Sequence, residues 1–210
     1  MPKRQQLLDD LSGEKSYGVF LMVQMDGVPE TLQMVITTTE LDEQRGGLRD
    51  KRSYVIRAIG VQEHRVSVGL FGNLRFMDTG HPLLYQYNET PAGLFFRGRP
   101  DDSNALLVDF MQAYTSTFGP WRQIPTYLNV SRPLLDLLNS GGDLVGEMPK
   151  PLAEKLAPAF GRHGLETKII EGAAPEESDE HGRTQHMKAL IIDDSYIVAM
   201  DFTVEFLGKP

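Results

Sequence analysis

The sequence predicts an α+β fold: a curved antiparallel β-meander of barrel- or sandwich-like form, then a helical α/β segment, then a returning C-terminal hairpin. Three observations carry this. Between Tyr17 and Arg99, β-branched and aromatic runs alternate with short breaks rich in Gly, Asn, Asp and Pro, which is the spacing of hairpin-linked strands and leaves no room for a crossover helix. After Pro100 the apolar residues recur at helical spacing. The last stretch, "SYIVAMDFTVEF", returns to strict alternation. Residues 1–210 read as a single domain, divided into a sheet lobe (16–99), a helical α/β segment (100–172), a mobile acidic loop (173–184) and a C-terminal hairpin (185–207).

The lead-in is polar, with one helical turn around Leu7, Leu8 and Leu11. "YGVFLMVQM" and "TLQMVITTT" form a hairpin about Asp26-Gly27. A charged loop from Glu40 to Arg52 contains Gly46-Gly47. "SYVIRAIGV" and "HRVSVGLF" are strands. Gly72-Asn73 signals a two-residue hairpin into "LRFMD", and "PLLYQYN" and "GLFFRGR" complete the meander. Asp101, Asp102 and Ser103 are capping candidates for a helix whose stripe is Leu107, Phe110, Tyr114 and Phe118, ended by Gly119-Pro120. Ser131 caps a second short helix, "RPLLDLLNS", and "LVGEM" is a short strand. A third helix, "PKPLAEKLAPAFGRHG", aligns Leu152, Leu156 and Phe160 around an internal Pro158. "LETKIIEG" is a strand, and "MKALII" turns at Asp193-Asp194 into the closing strand. There, Tyr196, Val198, Met200, Phe202, Val204 and Phe206 share one face.

With 21 basic and 29 acidic residues the net charge is −8, which opposes nucleic acid and anionic membrane as partners. No apolar run approaches the ~20 residues of a membrane span. There is no cysteine, so thiolate chemistry and disulfides are excluded. The lead-in lacks the apolar core of a secretory signal, and a cytoplasmic location is the expectation.

One stretch runs against the overall charge. From Arg45 to Arg75 there are seven basic and two acidic residues. A two-residue loop at Gly72-Asn73 pairs Phe71 with Leu74 and Leu70 with Arg75, which puts Arg65 and Arg75 on opposite faces and breaks the apparent patch. The same register leaves apolar residues on both faces, so a second layer or second subunit is expected, most simply as a homodimer.

Candidate chemistry is sparse. Arg57, Arg75, Arg97 and Arg99 are the cations available to a small phosphate- or carboxylate-bearing ligand, and His64 is the candidate general base for an enzyme acting on such a substrate. Arg97 and Arg99 precede Asp101 and Asp102, which are expected to pair with them locally. Asp179, Glu180, His181 and His186 cluster without a spacing that aims both rings at one ion, so no metal is expected, and no cofactor motif (GxGxxG, GxxxxGK[ST] or GxSxG) occurs. The leading reading is a non-catalytic binding or regulatory module that acts through protein contacts or a small ligand. The alternative is the anion-directed enzyme.

Overall fold

The computed structural model describes residues 3–25, 27–44, 46–174 and 186–207, with the side chain of Ile124 excepted. It is mixed α+β, and the chain divides into two compact units: residues 1–79 with 185–210, and residues 80–184. The acidic segment expected to be mobile lies outside the described residues from 175 onward.

The first unit contains helix α1 (Lys3–Leu11) and strands β1 (Ser16–Met25), β2 (Thr31–Asp42), β3 (Gly47–Arg65), β4 (Gly69–Phe71), β5 (Leu74–Met77), β9 (Lys188–Ile192) and β10 (Ser195–Phe206). All seven strands join one antiparallel sheet in the order β4-β1-β2-β3-β10-β9-β5, curled into a half-barrel. Its concave face holds the core: Phe20, Met34, Ile36, Tyr54, Ile56, Leu190 and Ile197 pack together, and Leu7 of α1 is fully buried among them. Each such side chain contributes roughly 1.5–3 kcal/mol of apolar burial.

The hairpin expected at Gly72-Asn73 does not form. β4 pairs with β1 and β5 pairs with β9, at opposite edges of the sheet. Only Gly72 and Asn73 separate these two edges, so the chain holds them within about 11 Å. The corner is fastened by Asp193, whose carboxylate accepts the backbone N–H groups of Gly72 (2.9 Å) and Asn73 (3.0 Å) and the Asn73 side-chain amide (3.3 Å). That partner lies in the β9–β10 turn, over a hundred residues away, and it outweighs the local turn preference of Gly-Asn. The register reverses one conclusion about charge. Arg65 pairs with Tyr196, Tyr196 with Ile191, and Ile191 with Arg75, so both arginines stand on one face of the sheet.

Three further expectations need correction. Residues 40–52 are not a loop, because β2 and β3 continue as a ladder to Asp42 and Gly47. Cross-strand charge supports that arm: Glu40 lies opposite Arg49, and Lys51 reaches Glu40 at 3.7 Å. β3 also runs unbroken through Gly60 to Arg65, so His64 is a strand residue and not a turn residue. The stripe from Tyr196 to Phe206 is not continuous. Ile197 and Ala199 face the core, and so do Phe202, Val204 and Phe206, so the parity switches between 199 and 202. That switch lies beside Gly60, whose φ of +66° lets the paired strand kink there.

The second unit contains α2 (Tyr85–Asn88), β6 (Pro91–Arg97), α3 (Ser103–Phe118), α4 (Leu134–Leu138), β7 (Gly142–Pro149), α5 (Lys150–Arg162) and β8 (Glu166–Glu171). "GLFFRGR" therefore leaves the meander and becomes the centre of a separate antiparallel sheet, β7-β6-β8. "PLLYQYN" is helical rather than a strand. Pro82 opens a 3-10 turn, and the His81 ring accepts the Leu83 N–H at 3.3 Å as its cap. α4 is shorter than expected and starts after Pro133, without Ser131 as its cap.

α3 and α5 cover one face of this sheet. Ala92, Leu94 and Phe96 of β6, with Val145 and Met148 of β7, meet Leu106, Phe110 and Phe118 of α3 and Leu152, Leu156 and Phe160 of α5. Phe160 packs against Phe96 at 5.5 Å and Phe110 at 6.0 Å between ring centroids. The predicted α5 stripe is the buried one. In α3, Leu106 takes the fully buried place expected of Leu107.

Candidate functional site

The residues singled out for anion chemistry do not assemble. Arg57 lies in β3 with Glu205 at 3.9 Å. Arg75 stands exposed on β5, where the ladder through Ile191 and Tyr196 leads to Arg65, eight residues along β3 from Arg57. His64 is exposed opposite Ile197. Arg97 and Arg99 belong to the other unit and are both exposed. They make no ion pair with Asp101 or Asp102 among the described residues. Instead, Asp102 caps α3, accepting the N–H groups of Asn104 (2.9 Å) and Ala105 (3.0 Å). Asp179, Glu180 and His181 lie outside the described residues, His186 is exposed, and no metal-ligating cluster occurs among the described residues.

A partly buried polar cluster of the first unit has a structural role. Asp10 at the end of α1 accepts the Tyr54 hydroxyl (2.6 Å), an Arg52 guanidinium nitrogen (3.2 Å) and the Thr38 hydroxyl (3.4 Å). This bolts the helix to β2 and β3. Burial, then the hydrogen bond to Asp10, pushes the Tyr54 phenol from 10.0 up to about 12. A raised pKa means that the folded state holds the proton more tightly. The stabilisation is full below pH 10 and is lost as pH rises through 12. Tyr54→Phe is expected to cost about 1–2 kcal/mol at neutral pH. It is also expected to remove this alkaline limb, as read from urea midpoints near pH 8 and about pH 11.5. Parallel pH dependence in the two proteins would count against this role.

The face of the small sheet turned away from α3 and α5 is different in kind. Strand parity places Gly93, Phe95 and Arg97 of β6 on it, flanked by Glu147 and Leu144 of β7 and by Ile170, Lys168 and Glu166 of β8. Gly93 has no side chain between Glu147 and Ile170, and this leaves a trough of about 310 Å3 with Phe95, Leu144 and Ile170 as its apolar lining. A second hollow of about 140 Å3, beside Tyr127, Met148 and Pro149, shares Pro91 and Glu147 with the first. Tyr127 and Met148 belong to the core on the α3–α5 side, so this hollow is separate from the trough on the open face.

The carboxylates lining the two hollows are Glu89, Glu147 and Glu171, and the cations Lys168 and Arg97 share the open face with the trough. Glu171 is neutralised by Lys150 at 2.8 Å, a bond that raises the Lys150 pKa and keeps that amine charged. No lysine or arginine among the described residues is paired with Glu89 or Glu147. The trough can therefore hold apolar groups. It presents no nucleophile aligned with a base.

Sequence reasoning missed this groove. The available signal was the lone Gly93 inside the alternating strand "PAGLFFR", a position where a bare backbone is exposed to a close neighbour. Comparison with protein-family models, with curated proteins and with solved structures returned no match.

Proposed function

We propose that this chain is a non-catalytic binding module that works by receiving apolar groups in the groove above Gly93. The supporting observation is the trough itself: an open sheet face on which Gly93, Phe95, Leu144 and Ile170 line a hollow of about 310 Å3. The enzyme reading has less behind it, because the candidate arginines and His64 stand apart.

Nile red, a neutral apolar dye, tests the reading. The full chain is expected to bind it saturably, one dye per chain. Gly93→Leu fills the trough. The nearest atom to the new Cβ is the edge of the Phe95 ring at 3.0 Å, which can turn aside, so folding is preserved. Affinity is expected to fall at least about tenfold, equivalent to 1.4 kcal/mol. Met111→Ser, on the exposed side of α3, should leave it unchanged. Equal dye binding by wild type and Gly93→Leu would reject the reading.

The module is placed in the cytoplasm and as a homodimer on the same footing. Among the described residues no helix is long and apolar enough to cross a membrane. Leu21, Val68 and Leu70 expose large apolar side chains in the first unit, a surface that a second copy would cover. Sedimentation equilibrium is expected to give twice the 23.5 kDa chain mass. A single species at the chain mass, unchanged with concentration, would remove the dimer.

A further inference from the structure

We propose that His81 is a proton-operated latch: its neutral ring holds the turn Pro82–Leu84 and the helix α2 that follows, and protonation releases both. Pro82 has no N–H, so Leu83 carries the first donor of the turn. The His81 ring accepts that N–H at Nδ1 (3.3 Å), and the His81 carbonyl accepts the next one, from Leu84 (2.9 Å). An accepting Nδ1 puts the ring proton on Nε2. A second proton goes to Nδ1, which then becomes a donor facing the Leu83 N–H. The bond is lost, and two N–H groups oppose each other. Leu83 and Leu84 are both buried, so the turn cannot turn its donors to water without drawing these side chains from the core.

The segment after the turn has few ties of its own. α2 has no side-chain cap at its start, and the Glu89 N–H closes it on the Tyr85 carbonyl (3.0 Å). Tyr85 rests edge-on against Phe118, and Gln86 accepts the Tyr127 hydroxyl at 3.3 Å. Gln86 and Glu89 also wall the hollow of about 140 Å3, so release of α2 loosens that hollow.

The surroundings favour the neutral ring. Burial lowers the His81 pKa from 6.5, and Trp121 lies edge-on to the ring at 5.5 Å between centroids. The ionisable groups on the segments around it are Asp78, Tyr85, Tyr87, Asp109, Tyr114 and Arg122. None of them forms an ion pair or hydrogen bond with the ring among the described residues. Asp109 is engaged by Arg162 (3.0 Å) and Tyr114 by the Gln123 carbonyl (2.7 Å). A folded pKa below the unfolded one means that the latch is complete well above pH 6.5. It is lost as pH falls from 6.5 through the folded value.

The experiment compares the full chain with His81→Asn at about pH 7.5 and about pH 5.0. Asparagine can accept the same N–H but does not titrate. Amide hydrogen exchange is read at Leu83 and Glu89 against the amides of β6, corrected for the intrinsic pH dependence of exchange. In the wild type, protection at Leu83 and Glu89 is expected to fall at least about tenfold at the lower pH, with β6 unchanged. His81→Asn should hold both sites within about twofold. Trp121 is the single tryptophan, and a protonated imidazole quenches a neighbouring indole. Its emission should therefore fall on acidification with a midpoint below 6.5 in the wild type and stay level in His81→Asn. Unchanged protection at Leu83 or Glu89 while the emission titrates would overturn the latch, because the ring would then take its proton without releasing the turn. Equal losses in the wild type and His81→Asn would overturn it by assigning the acid response to another group. A loss shared by β6 would overturn it by making the response global unfolding.

Discussion

Gly146→Ala is expected to destabilise the protein by about 3 kcal/mol or more. A Cβ at residue 146 would lie 1.9 Å from the Tyr127 carbonyl oxygen and 3.0 Å from the Leu128 Cα. Both are backbone atoms, so no rotamer change relieves the clash. The opposing segment is also tied down, with Asn129 donating its N–H to the Val145 carbonyl (2.9 Å) and its side-chain amide to the Leu144 carbonyl (3.2 Å). Moving it apart breaks these bonds and draws out Tyr127, which stacks on Phe118 at 5.5 Å. Urea unfolding gives the loss directly. A loss below about 1 kcal/mol would mean that the segment at 127–129 yields easily, contrary to its tethering.

The second large effect is expected at Gly18. It lies opposite Phe71 across β1 and β4, and a Cβ there would come within 2.0–2.5 Å of three atoms of the Phe71 ring. Here the obstacle is a side chain, so the ring swings aside. Phe71 is only 4% exposed, and leaving its site removes most of its packing. Gly18→Val is therefore expected to cost about 3 kcal/mol, in the range of truncating a buried phenylalanine. A double-mutant cycle separates this from a general strand defect. If Gly18→Val acts by evicting the ring, it adds little once Phe71→Ala is present. Additive losses would reject the eviction mechanism.

The sequence was most legible where one local signal agreed with the long-range fold. The strand pattern of β1, β2 and β10, the α5 stripe of Leu152, Leu156 and Phe160, and the Asp102 cap of α3 all follow from periodicity and capping. It misled where a distant residue decided. Gly72-Asn73 has the composition of a tight turn, but Asp193 holds its N–H groups and sends the two flanking strands to opposite edges. "PLLYQYN" alternates well enough for a strand, yet Pro82 and the His81 cap commit it to helical turns. The groove was hidden for another reason. Its parts come from β6, β7 and β8, and only strand pairing puts Glu147 beside Gly93 and Ile170. The charge pattern of any one strand does not reveal it.

The closing corner of the half-barrel also bears on how the chain acquires its structure over time. Gly72 and its partner Asp193 are 121 positions apart, and the whole second unit, residues 80–184, lies between them. The second unit is continuous and needs nothing beyond residue 184. By contrast, β3 lacks one of its neighbours and β5 lacks its partner until β9 and β10 exist. Non-local pairing of this kind is slow because the loop entropy must be met before the contacts form. During synthesis the half of the molecule made first is therefore the one completed last, and until then the long strand β3 presents an unpaired edge to whatever is nearby. In refolding followed by pulsed hydrogen exchange, amides of β6 and β7 should be protected before those of β3 and β10.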